Sequence, residues 1–366
     1  MRVLFAGGGS GGHLYPALAI ARALVERDAR VKPFFLGARR GIERTVLPQT
    51  EFSFELLELH PLYRSHPWLN WRTLAGSATS WRRIAAIVAS DRPYALVATG
   101  GYAAGVALSV ARWKGVPIVI QEQNSVPGLT VRLFARRAKQ IHLGFPEAAS
   151  HLSVGPSTSI FDSGNPIAPP IPVDERPSRA GSEERWGFES SAAPILLVFG
   201  GSQGAEGINR IVAKWVERGS GQVRVIWATG PTNFDRYSHL DSAHVRVLPY
   251  IQRVADAYSA ADFAVSRAGA MTTAELSAWG IPTILVPLPT AAADHQRQNA
   301  RTIAASGAAI MIEQPALTTD LLGATIERMA TDSGLRAGMR ERNLERARPD
   351  AAQHIATDIL SMDCFK

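Results

Sequence analysis

The sequence predicts an α/β protein made of two Rossmann-like, doubly wound parallel-sheet domains that face each other across a cleft. Three observations predict this fold. Short apolar runs alternate with helical patterns along the whole chain, which is the order of a parallel sheet with crossover helices. Glycine-rich turns follow a strand pattern in both halves. The length of 366 residues suits two cores of roughly 150–180 residues each.

The first half contains short apolar runs that end in turns, as buried parallel strands do. The predicted strands are Arg2–Ala6, Lys32–Leu36, Tyr94–Ala98 and Val116–Gln121. After the first strand and its glycines, Pro16 is predicted to open a helix. Leu18, Ala21, Leu24 and Val25 then lie on one face of that helix, at the 3.6-residue period.

The second half repeats this scheme. Its predicted strands are Pro194–Phe199, Val223–Ala228, Phe263–Ser266 and Thr283–Val286. Helices are predicted at Ile208–Val216 and from about Met271. The proline-rich segment 164–187 has the composition of a linker. We therefore expect domains at 1–163 and 188–345, with a C-terminal helix at about 346–366 that packs back on the first domain.

Composition restricts the class of protein and its location. The single cysteine, Cys364, excludes an intrachain disulfide and a cysteine metal cluster. The first residues run straight into a strand, and no apolar run reaches the roughly 20 residues that span a bilayer, so we expect a cytoplasmic protein. Residues 1–150 carry 19 Lys and Arg against 9 Asp and Glu, within a net charge of +7. This basic half predicts an anionic partner, with a generically basic surface as the alternative.

The first glycine loop runs from Gly7 to His13 between a strand and a helix. Free amides and the positive end of a helix dipole suit a diphosphate there. Gly7, Gly9 and Gly12 also satisfy G-x-G-x-x-G, so a dinucleotide site is an alternative. The next strand lacks the acidic residue that binds an NAD ribose but is followed by Arg39-Arg40, which leaves an NADP-dependent oxidoreductase open.

Three further segments predict ligand contacts in the second half. Residues 199–205 (FGGSQGA) repeat the strand, glycine turn and helix arrangement. In 266–275 (SRAGAMTTAE), first-turn amides and the hydroxyls of Thr272 and Thr273 are candidates for phosphate oxygens, and Glu275 for a ribose. An ordinary first-turn Glu is the alternative for Glu275. The polar run 294–299 (DHQRQN) matches sugar hydroxyls, although a solvated helix start has the same composition.

Taken together, these strings resemble the MurG family of peptidoglycan N-acetylglucosaminyltransferases. The matching segments are GGGSGGHLYPALAIA from Gly7, GGY at 100–102, EQN at 122–124, GNP at 164–166, GGSQGA at 200–205, SRAGAMTTAE at 266–275 and DHQRQNA at 294–300. The resemblance implies the GT-B fold and inverting transfer of GlcNAc from UDP-GlcNAc to the C4 hydroxyl of MurNAc in lipid I, a polyprenyl diphosphate. Lipid II and UDP form, and no metal or other cofactor is needed.

The resemblance also assigns site residues. Donor contacts are implied for Ser10, Gly11, Gly12, Asn124, Ser202, Gln203, Ile251, Ala270, Met271, Thr272, Thr273, Ala274, Glu275 and Gln296. Gly9 and Tyr102 are candidates for the acceptor or its diphosphate. Inversion needs a group that takes the acceptor's proton, and His13 is the predicted base; a capping or phosphate-binding role is the alternative.

Two positions depart from the family pattern. The expected Arg after GNP-V is Ala168, and the expected His before EQN is Gln121. These changes affect the expected donor affinity and acceptor identity. A related transferase with a different lipid or natural-product acceptor therefore stays open, as does a non-catalytic nucleotide-sugar binder.

Tryptophan and arginine side chains predict a membrane-facing surface. Trp71, Trp81, Arg82 and Arg83 fall in one helical stretch, and Trp113 lies between Arg112 and Lys114. This combination suits the headgroup layer of an anionic membrane, so we expect a peripheral protein on the cytoplasmic side of the bacterial membrane. Simple packing of these tryptophans on the sheet is the alternative. No nucleic-acid motif occurs, and nucleic acid is not an expected partner.

Overall fold

The chain folds into two compact units, each built on a parallel sheet. A computed structural model describes residues 1–60, 68, 70–221 and 223–362, without the side chains of residues 70–72 and 74. The first unit combines Met1–Ala168 with Arg348–Lys366, and the second is Pro169–Ala347. The α/β class with two Rossmann-like domains is confirmed.

The sheet of the first unit is entirely parallel. Its strands are β1 (Arg2–Gly7), β2 (Lys32–Ala38), β3 (Ser53–Leu57), β4 (Ala95–Gly100), β5 (Ile118–Glu122), β6 (Gln140–Leu143) and β7 (Ser159–Phe161). Their order is β3-β2-β1-β4-β5-β6-β7, so the direction of winding reverses between β1 and β4. The helices of residues 1–168 are α1 (Gly11–Arg27), α2 (Glu43–Val46), α3 (Asn70–Ser90), α4 (Gly101–Lys114) and α5 (Leu129–Phe134).

The second unit repeats this topology. Its strands are β8 (Ile195–Phe199), β9 (Arg224–Ala228), β10 (Val245–Leu248), β11 (Phe263–Ser266), β12 (Thr283–Leu285) and β13 (Ala309–Met311). They are parallel in the order β10-β9-β8-β11-β12-β13, with the reversal between β8 and β11. The helices are α6 (Arg179–Arg185), α7 (Glu206–Glu217), α8 (Phe234–Tyr237), α9 (Val254–Ala260), α10 (Ala270–Trp279), α11 (His295–Ala305), α12 (Thr319–Thr331) and α13 (Ser333–Arg346).

Each sheet is buried on both faces, which explains why its strands are continuous apolar runs. In β1, Leu4 belongs to one core cluster and Val3 and Phe5 to another, because successive side chains point to opposite faces. Every one of these residues is 0–1% exposed. Helices must therefore cover both faces, and ligands can reach the sheet only at strand ends.

The last helix of the described chain, α14 (Ala351–Leu360), returns to the first unit. Ile355, Ala356 and Ile359 are fully buried in the cluster that contains Leu14 of α1. The hydroxyl of Tyr94 donates to the carbonyl of Met362 at 2.7 Å and so caps the end of α14. Helix α14 thereby supports α1, the helix that follows the first glycine loop.

One local prediction was wrong. Pro16 does not open the first helix, because α1 begins at Gly11 and Pro16 lies inside it. The glycines, whose amides need no partner in a first turn, provide the start instead. The C-terminal helix predicted at about 346–366 is observed as α14 (Ala351–Leu360), a separate helix that starts after α13 ends at Arg346.

The proline-rich segment 164–187 is more ordered than its composition indicates. Within it, α6 carries the buried Glu183, whose carboxylate accepts from the buried guanidinium of Arg224 at 2.8 Å. Residues 164–168 belong to the first unit and the rest of the segment to the second. Residues 164–168 therefore pack within the first unit, and α6 packs within the second.

Candidate active site

In the first unit, two glycine turns meet at the reversal between β1 and β4. Parallel sheets of this kind bind ligands at the carboxyl ends of the strands, at that reversal. Gly100 and Gly101 have φ angles of +93° and +78°, and a Cβ on Gly101 would lie 2.2 Å from the carbonyl oxygen of Gly8. Only glycine permits this contact. It brings the N-termini of α1 and α4 to the same edge of the sheet.

The start of α1 offers three free amides. Within the described part of the chain, the N–H groups of Ser10, Gly11 and Gly12 have no acceptor, and Ser10 and Gly12 are exposed. The first amides of a helix have no partner inside it and lie at the positive end of its dipole. This geometry suits a bound phosphate, as expected for these residues.

Gly9 differs from its neighbours, because its amide donates to Oε1 of Glu43 at 2.9 Å. The N–H group of Gly9 is therefore already satisfied, and a contact of Gly9 with the acceptor or its diphosphate stays a prediction. The ring of Tyr102 packs on Gly9, where a Cβ would be 2.6 Å from the ring. Gly9 thus provides a close-packed turn rather than an available donor.

Glu43 stabilises this loop through the hydrogen bond that it accepts from Gly9. Its side chain is completely buried, and its Oε1 also lies 3.4 Å from the amide of Ala38. Its Oε2 is buried without a hydrogen-bond partner among the described residues. A buried carboxylate oxygen without a partner costs free energy of folding. The hydrogen bonds that Oε1 accepts must offset this cost for Glu43 to keep its position.

His13 is the third residue of α1, in the turn below the free amides. Its Nδ1 lies 2.8 Å from the carbonyl oxygen of Thr99 and 2.9 Å from Oε1 of Gln123. The Thr99 hydroxyl donates to the carbonyl of His13 at 2.7 Å. No described residue hydrogen-bonds Nε2 of the ring. The histidine is therefore held through one nitrogen and has the other available.

Buried amide side chains surround this histidine. Gln121 is fully buried and donates from Nε2 to Oδ1 of Asn165 at 3.1 Å. Asn165 in turn donates from Nδ2 to the backbone oxygen of Gln123 at 3.0 Å. Position 121, where the family has His, therefore contacts the protein interior.

Asn124 lies next to this network. Its backbone amide and its side-chain amide both donate to Oε1 of Glu122, at 2.9 and 3.2 Å. Oε2 of Glu122 accepts from the amide of Gly128 at 3.0 Å. Glu122 thus shapes the loop that carries Asn124, a role that sequence reasoning did not assign.

In the second unit, residues 199–205 form the turn between β8 and α7. Gly204 has a φ of +74°, and a Cβ there would lie 1.9 Å from the carbonyl oxygen of Thr229. This close approach leaves Ser202 and Gln203 exposed at the tip of the turn. Neither residue forms a hydrogen bond through its side chain or amide within the described chain.

The second turn at the reversal between β8 and β11 precedes α10, which begins at Ala270. The amides of Met271 and Thr272 have no acceptor among the described residues, whereas the Thr273 amide bonds Gly269 at 2.9 Å. The phosphate contact predicted for the Thr273 hydroxyl would require this side chain to give up internal hydrogen bonds. That side chain is buried, and its hydroxyl lies 3.1 Å from the carbonyl oxygens of both Gly269 and Ala270. A threonine that bonds the preceding turn of its own helix has no donor for a ligand.

Glu275 and Ala274 follow in the same helix, and Glu275 has a specific partner. The hydroxyl of Tyr258 donates to Oε2 of Glu275 at 2.8 Å. Burial raises the pKa of Glu275, and the Tyr258 hydrogen bond partly opposes that shift. Burial and the Glu275 charge raise the pKa of Tyr258 well above its usual range, so it stays a donor. Ile251 lies in the same apolar cluster as Tyr258.

The polar segment 294–299 begins with an unusual turn. Ala293 and Asp294 have φ angles of +50° and +56°, a region that residues with a Cβ seldom occupy. Oε1 of Gln296 accepts from the amide of Leu288 at 3.0 Å, and Asn299 donates to the carbonyl of Ala268 at 3.3 Å. Asn299 thereby ties the segment to the turn before α10, and the side-chain amide nitrogen of Gln296 has no partner among the described residues.

The predicted residues therefore fall into two groups. The residues from Gly9 to His13, with Tyr102 and Asn124, surround the reversal of the first sheet. The remaining donor candidates follow strands of the second sheet. Sequence reasoning missed Glu43, Thr99 and Tyr258, and it quoted Gln123 and Asn165 only as motif letters. Arg39, which kept the NADP alternative open, is paired with Glu58 at 3.1 Å.

The predicted membrane surface is only partly described. Trp81 is partly buried against the core, and its ring centroid lies 4.8 Å from that of Trp113. Trp113 is 60% exposed, with the Lys114 ammonium 4.1 Å from its ring. Arg82 is exposed, whereas Arg83 forms an ion pair with Glu55. The side chain of Trp71 lies outside the described residues.

No group of three or more His, Cys, Asp or Glu side chains among the described residues is arranged to hold a metal ion. None of the described helices combines the length and apolar composition that crossing a bilayer requires.

Comparison with known proteins gives matches along both units. The N-terminal domain of glycosyltransferase family 28 matches residues 3–143, and the C-terminal domain of that family matches residues 195–355. Together the two matches include both glycine turns of each sheet.

Curated relatives match over almost the full length. One from Chlorobium phaeobacteroides is 37% identical and one from Chlorobaculum parvum is 38% identical, and each match covers 99% of both chains. Both are named UDP-N-acetylglucosamine–N-acetylmuramyl-(pentapeptide) pyrophosphoryl-undecaprenol N-acetylglucosamine transferase. Among solved structures, that of Acinetobacter baumannii MurG is similar with a TM-score of 0.79 and 25% identity, and the match covers 99% of each chain.

Proposed function

This chain belongs to the MurG family of GT-B glycosyltransferases, and on that basis we propose that it transfers GlcNAc from UDP-GlcNAc to the C4 hydroxyl of MurNAc in lipid I. The products are lipid II and UDP. One observation supports this proposal above the others. At the winding reversal of each sheet, the first turn of a helix has amides without a partner among the described residues, those of Gly11 and Gly12 in α1 and of Met271 and Thr272 in α10, and such amides suit a diphosphate group.

The second unit is proposed to bind the donor. The amides of Met271 and Thr272, with Ser202 and Gln203, are proposed to bind the diphosphate, because these amides have no acceptor among the described residues and Ser202 and Gln203 are exposed. Glu275 accepts hydrogen bonds from the ribose hydroxyls, because Tyr258 occupies only one side of its Oε2. Uracil lies at Ile251, and the amino group of Gln296 binds the sugar. The remaining implied donor residues, Ala270 and Ala274, contribute backbone surface.

The first unit is proposed to bind phosphate oxygens and the reacting hydroxyl. Ser10, Gly11 and Gly12 provide amides, and Tyr102 and Asn124 lie at the same sheet edge. His13 accepts the proton of the acceptor hydroxyl on Nε2, which has no partner among the described residues. The acceptor oxygen forms a bond to the anomeric carbon, and the bond from that carbon to the UDP oxygen breaks.

UDP leaves with the electron pair of the broken bond, so negative charge develops on its diphosphate. Amides that are already oriented stabilise such charge without reorganisation. The two helix N-termini therefore perform the role that a divalent cation has in other transferases, and we propose that the reaction needs no metal. UDP-GlcNAc is a substrate, and no further cofactor is proposed.

The surface around Trp113 is proposed to contact the membrane that holds the acceptor. Trp113 is exposed beside Lys114, and Arg82 is exposed on the neighbouring α3. Tryptophan and basic side chains together favour the headgroup region of anionic membranes. We propose peripheral binding at the cytoplasmic face, and no nucleic-acid partner.

A transfer assay tests the reaction. Radiolabelled UDP-GlcNAc and a lipid I analogue should give labelled lipid II at the same rate with and without EDTA. Replacing His13 with Ala should lower kcat by about 10²-fold or more while UDP affinity is retained. A loss confined to the KM for the acceptor would contradict the role of His13 as base.

The same assay separates the alternatives. UDP binding without transfer to lipid I would favour another acceptor, and the exposed Ala168 in place of the family Arg is the feature that keeps this second candidate in view. Loss of activity in EDTA, restored by magnesium, would refute the proposal that amides alone support the leaving group.

Membrane binding is tested by sedimentation with vesicles that contain anionic lipid. The wild-type protein should sediment at low salt, and Trp113→Ala with Lys114→Ala should reduce the bound fraction. A matched control is Lys139→Ala, a basic residue elsewhere in the first unit. Equal sedimentation of all three proteins would refute this surface.

A further inference from the structure

We propose that Gln123 is a positioning residue that keeps the proton of His13 on Nδ1 and thereby keeps Nε2 ready to accept a proton. The inference rests on the proposed function, because it concerns the histidine assigned as base. It depends, however, on hydrogen-bond directions that can be measured without turnover. Gln123 belongs to the EQN string but had no role assigned to it.

The orientation of the Gln123 amide follows from two backbone carbonyls. Its Nε2 lies 2.8 Å from the oxygen of Thr99 and 3.0 Å from the oxygen of Gln121. Carbonyl oxygens only accept hydrogen bonds, so the nitrogen of the side chain must face them. The reversed amide would place an oxygen against both acceptors in a site where Gln123 is 2% exposed.

The direction of the bond to His13 follows from that orientation. With Nε2 of Gln123 facing the backbone, Oε1 lies 2.9 Å from Nδ1 of His13. The carbonyl oxygen of Thr99 lies 2.8 Å from the same Nδ1. Both neighbours of Nδ1 are acceptors, so Nδ1 carries the proton. In neutral imidazole the other nitrogen then has the lone pair that a general base needs.

Gln121 and Asn165 hold Gln123 in place from the interior. Oε1 of Gln121 accepts from Nε2 of Gln123, and Nε2 of Gln121 donates to Oδ1 of Asn165. Asn165 donates to the backbone oxygen of Gln123 at 3.0 Å, which closes a buried ring of hydrogen bonds. At position 121 the ring has one donor towards Asn165 and one acceptor towards Gln123. That acceptor shares the two hydrogens of the Gln123 amide with the backbone oxygens of Thr99 and Gln121.

This pair of one donor and one acceptor explains how Gln can replace the family His at position 121. Neutral imidazole also offers one acceptor and one donor, on its two ring nitrogens. Gln and His are therefore equivalent for the ring, although they differ in shape. We infer that the exchange preserves the positioning of His13 and does not alter the ligand contacts, because Gln121 is 0% exposed.

The decisive measurement is the tautomer of His13 in the full-length protein without ligand. Protein labelled with ¹⁵N-histidine gives long-range ¹H–¹⁵N correlations that distinguish the two ring nitrogens, and His13→Gln identifies the signal. The expected result is protonated Nδ1 and unprotonated Nε2. Protonation of Nε2 in the neutral ring would overturn the proposal, and this test needs no change at Gln123.

Variants then separate positioning from folding. Gln123→Met keeps the volume but removes the acceptor Oε1. Because the Thr99 carbonyl still accepts from Nδ1, we expect Nδ1–H to remain the major tautomer, with a measurable signal of the other tautomer that the wild type lacks. We expect a decrease in kcat of about 10- to 100-fold, the size found for outer-shell groups that orient metal-binding histidines. The KM for UDP-GlcNAc should stay unchanged. Gln121→His should retain the single tautomer and nearly full kcat, whereas Gln121→Leu should not.

The outcomes distinguish this inference from the proposed function. A wild-type protein that makes no lipid II refutes the function, whatever the tautomer. If the wild type is active and Gln123→Met has the same His13 tautomer and the same kcat, the positioning role alone is refuted. If Gln123→Met does not fold, the wild-type tautomer and the pair of Gln121 variants still decide the question.

Discussion

Protonation of His142 is a perturbation whose effect on stability can be worked out from the structure. This side chain in β6 is 0% exposed, with Nδ1 2.8 Å from the Ser163 hydroxyl and its ring stacked 4.9 Å from that of Phe161. Burial lowers the pKa of His142 from 6.5 to about 4. The Asp358 carboxylate, 3.9 Å away, is beyond hydrogen-bond distance and does not offset burial.

The sign and size of the effect follow from linkage. The unfolded chain binds this proton below pH 6.5, but the folded chain binds it only near pH 4, so acid favours unfolding. The contribution of neutral His142 to the free energy of unfolding is complete above pH 6.5. It decreases as the pH falls from 6.5 and is lost by about pH 4. At about 1.4 kcal/mol for each pH unit, the loss is about 3 kcal/mol. That is a large share of the roughly 5–15 kcal/mol of a typical domain.

Urea unfolding of the wild type and His142→Gln between pH 7.5 and 4 measures this loss. The amide can still bond Ser163 but does not take up a proton in this range. Asp358, whose pKa is raised by burial, favours the folded state as the pH falls, but it is present in both proteins and cancels in their difference. The wild type should lose about 3 kcal/mol more than the variant. Parallel pH profiles would refute the reasoning.

Three further predictions concern the site. Tyr258→Phe removes the hydroxyl that holds Glu275, so the preference for UDP over 2′,3′-dideoxy-UDP should fall about tenfold, and calorimetry that shows an unchanged preference would contradict the ribose role. Glu43→Ala removes the acceptor of the Gly9 amide and should lower the unfolding free energy by about 1–3 kcal/mol, with Glu43→Gln closer to the wild type in urea unfolding. Ala168→Arg, at an exposed position, restores the family residue and should tighten UDP binding about tenfold; weaker binding would show that this cation does not serve the donor.

The strands in the middle of each sheet were predictable because both of their faces are buried, whereas β3, β6, β7, β10 and β13, which lie at or next to a sheet edge, were not predicted. Predicted Pro194–Phe199 is observed as Ile195–Phe199, and Phe263–Ser266 is observed unchanged. Continuous apolar runs between turns have few alternative structures in an α/β chain. The start of α1 was predicted wrongly because Pro16 is a strong local signal, whereas the observed start at Gly11 depends on packing against Gly100 and Gly101.

Individual ligand contacts were less predictable than the loops that carry them. The Thr273 hydroxyl and the Gly9 amide both have the chemistry to bind a phosphate, but the fold satisfies each one internally. Whether a donor is free depends on its neighbours in space, and residue type alone does not give those neighbours. The helix starts at Gly11 and Ala270 were marked by glycines, and the amides of Gly12, Met271 and Thr272, which have no acceptor among the described residues, follow from helix geometry.

The positioning of His13 shows where sequence reasoning ends. Its two partners, Thr99 and Gln123, are 86 and 110 residues away in the chain, and Asn165 is a further 42 beyond Gln123. The pairing of β1 with β4, of β4 with β5, of β5 with β6 and of β6 with β7 brings these positions together. A departure such as Gln121 therefore has to be judged by the donors and acceptors it presents to its neighbours. By that criterion Gln121 conserves the hydrogen bonds of the buried ring, whereas Ala168 removes a cation from an exposed position, so any change in substrate use is to be sought at Ala168.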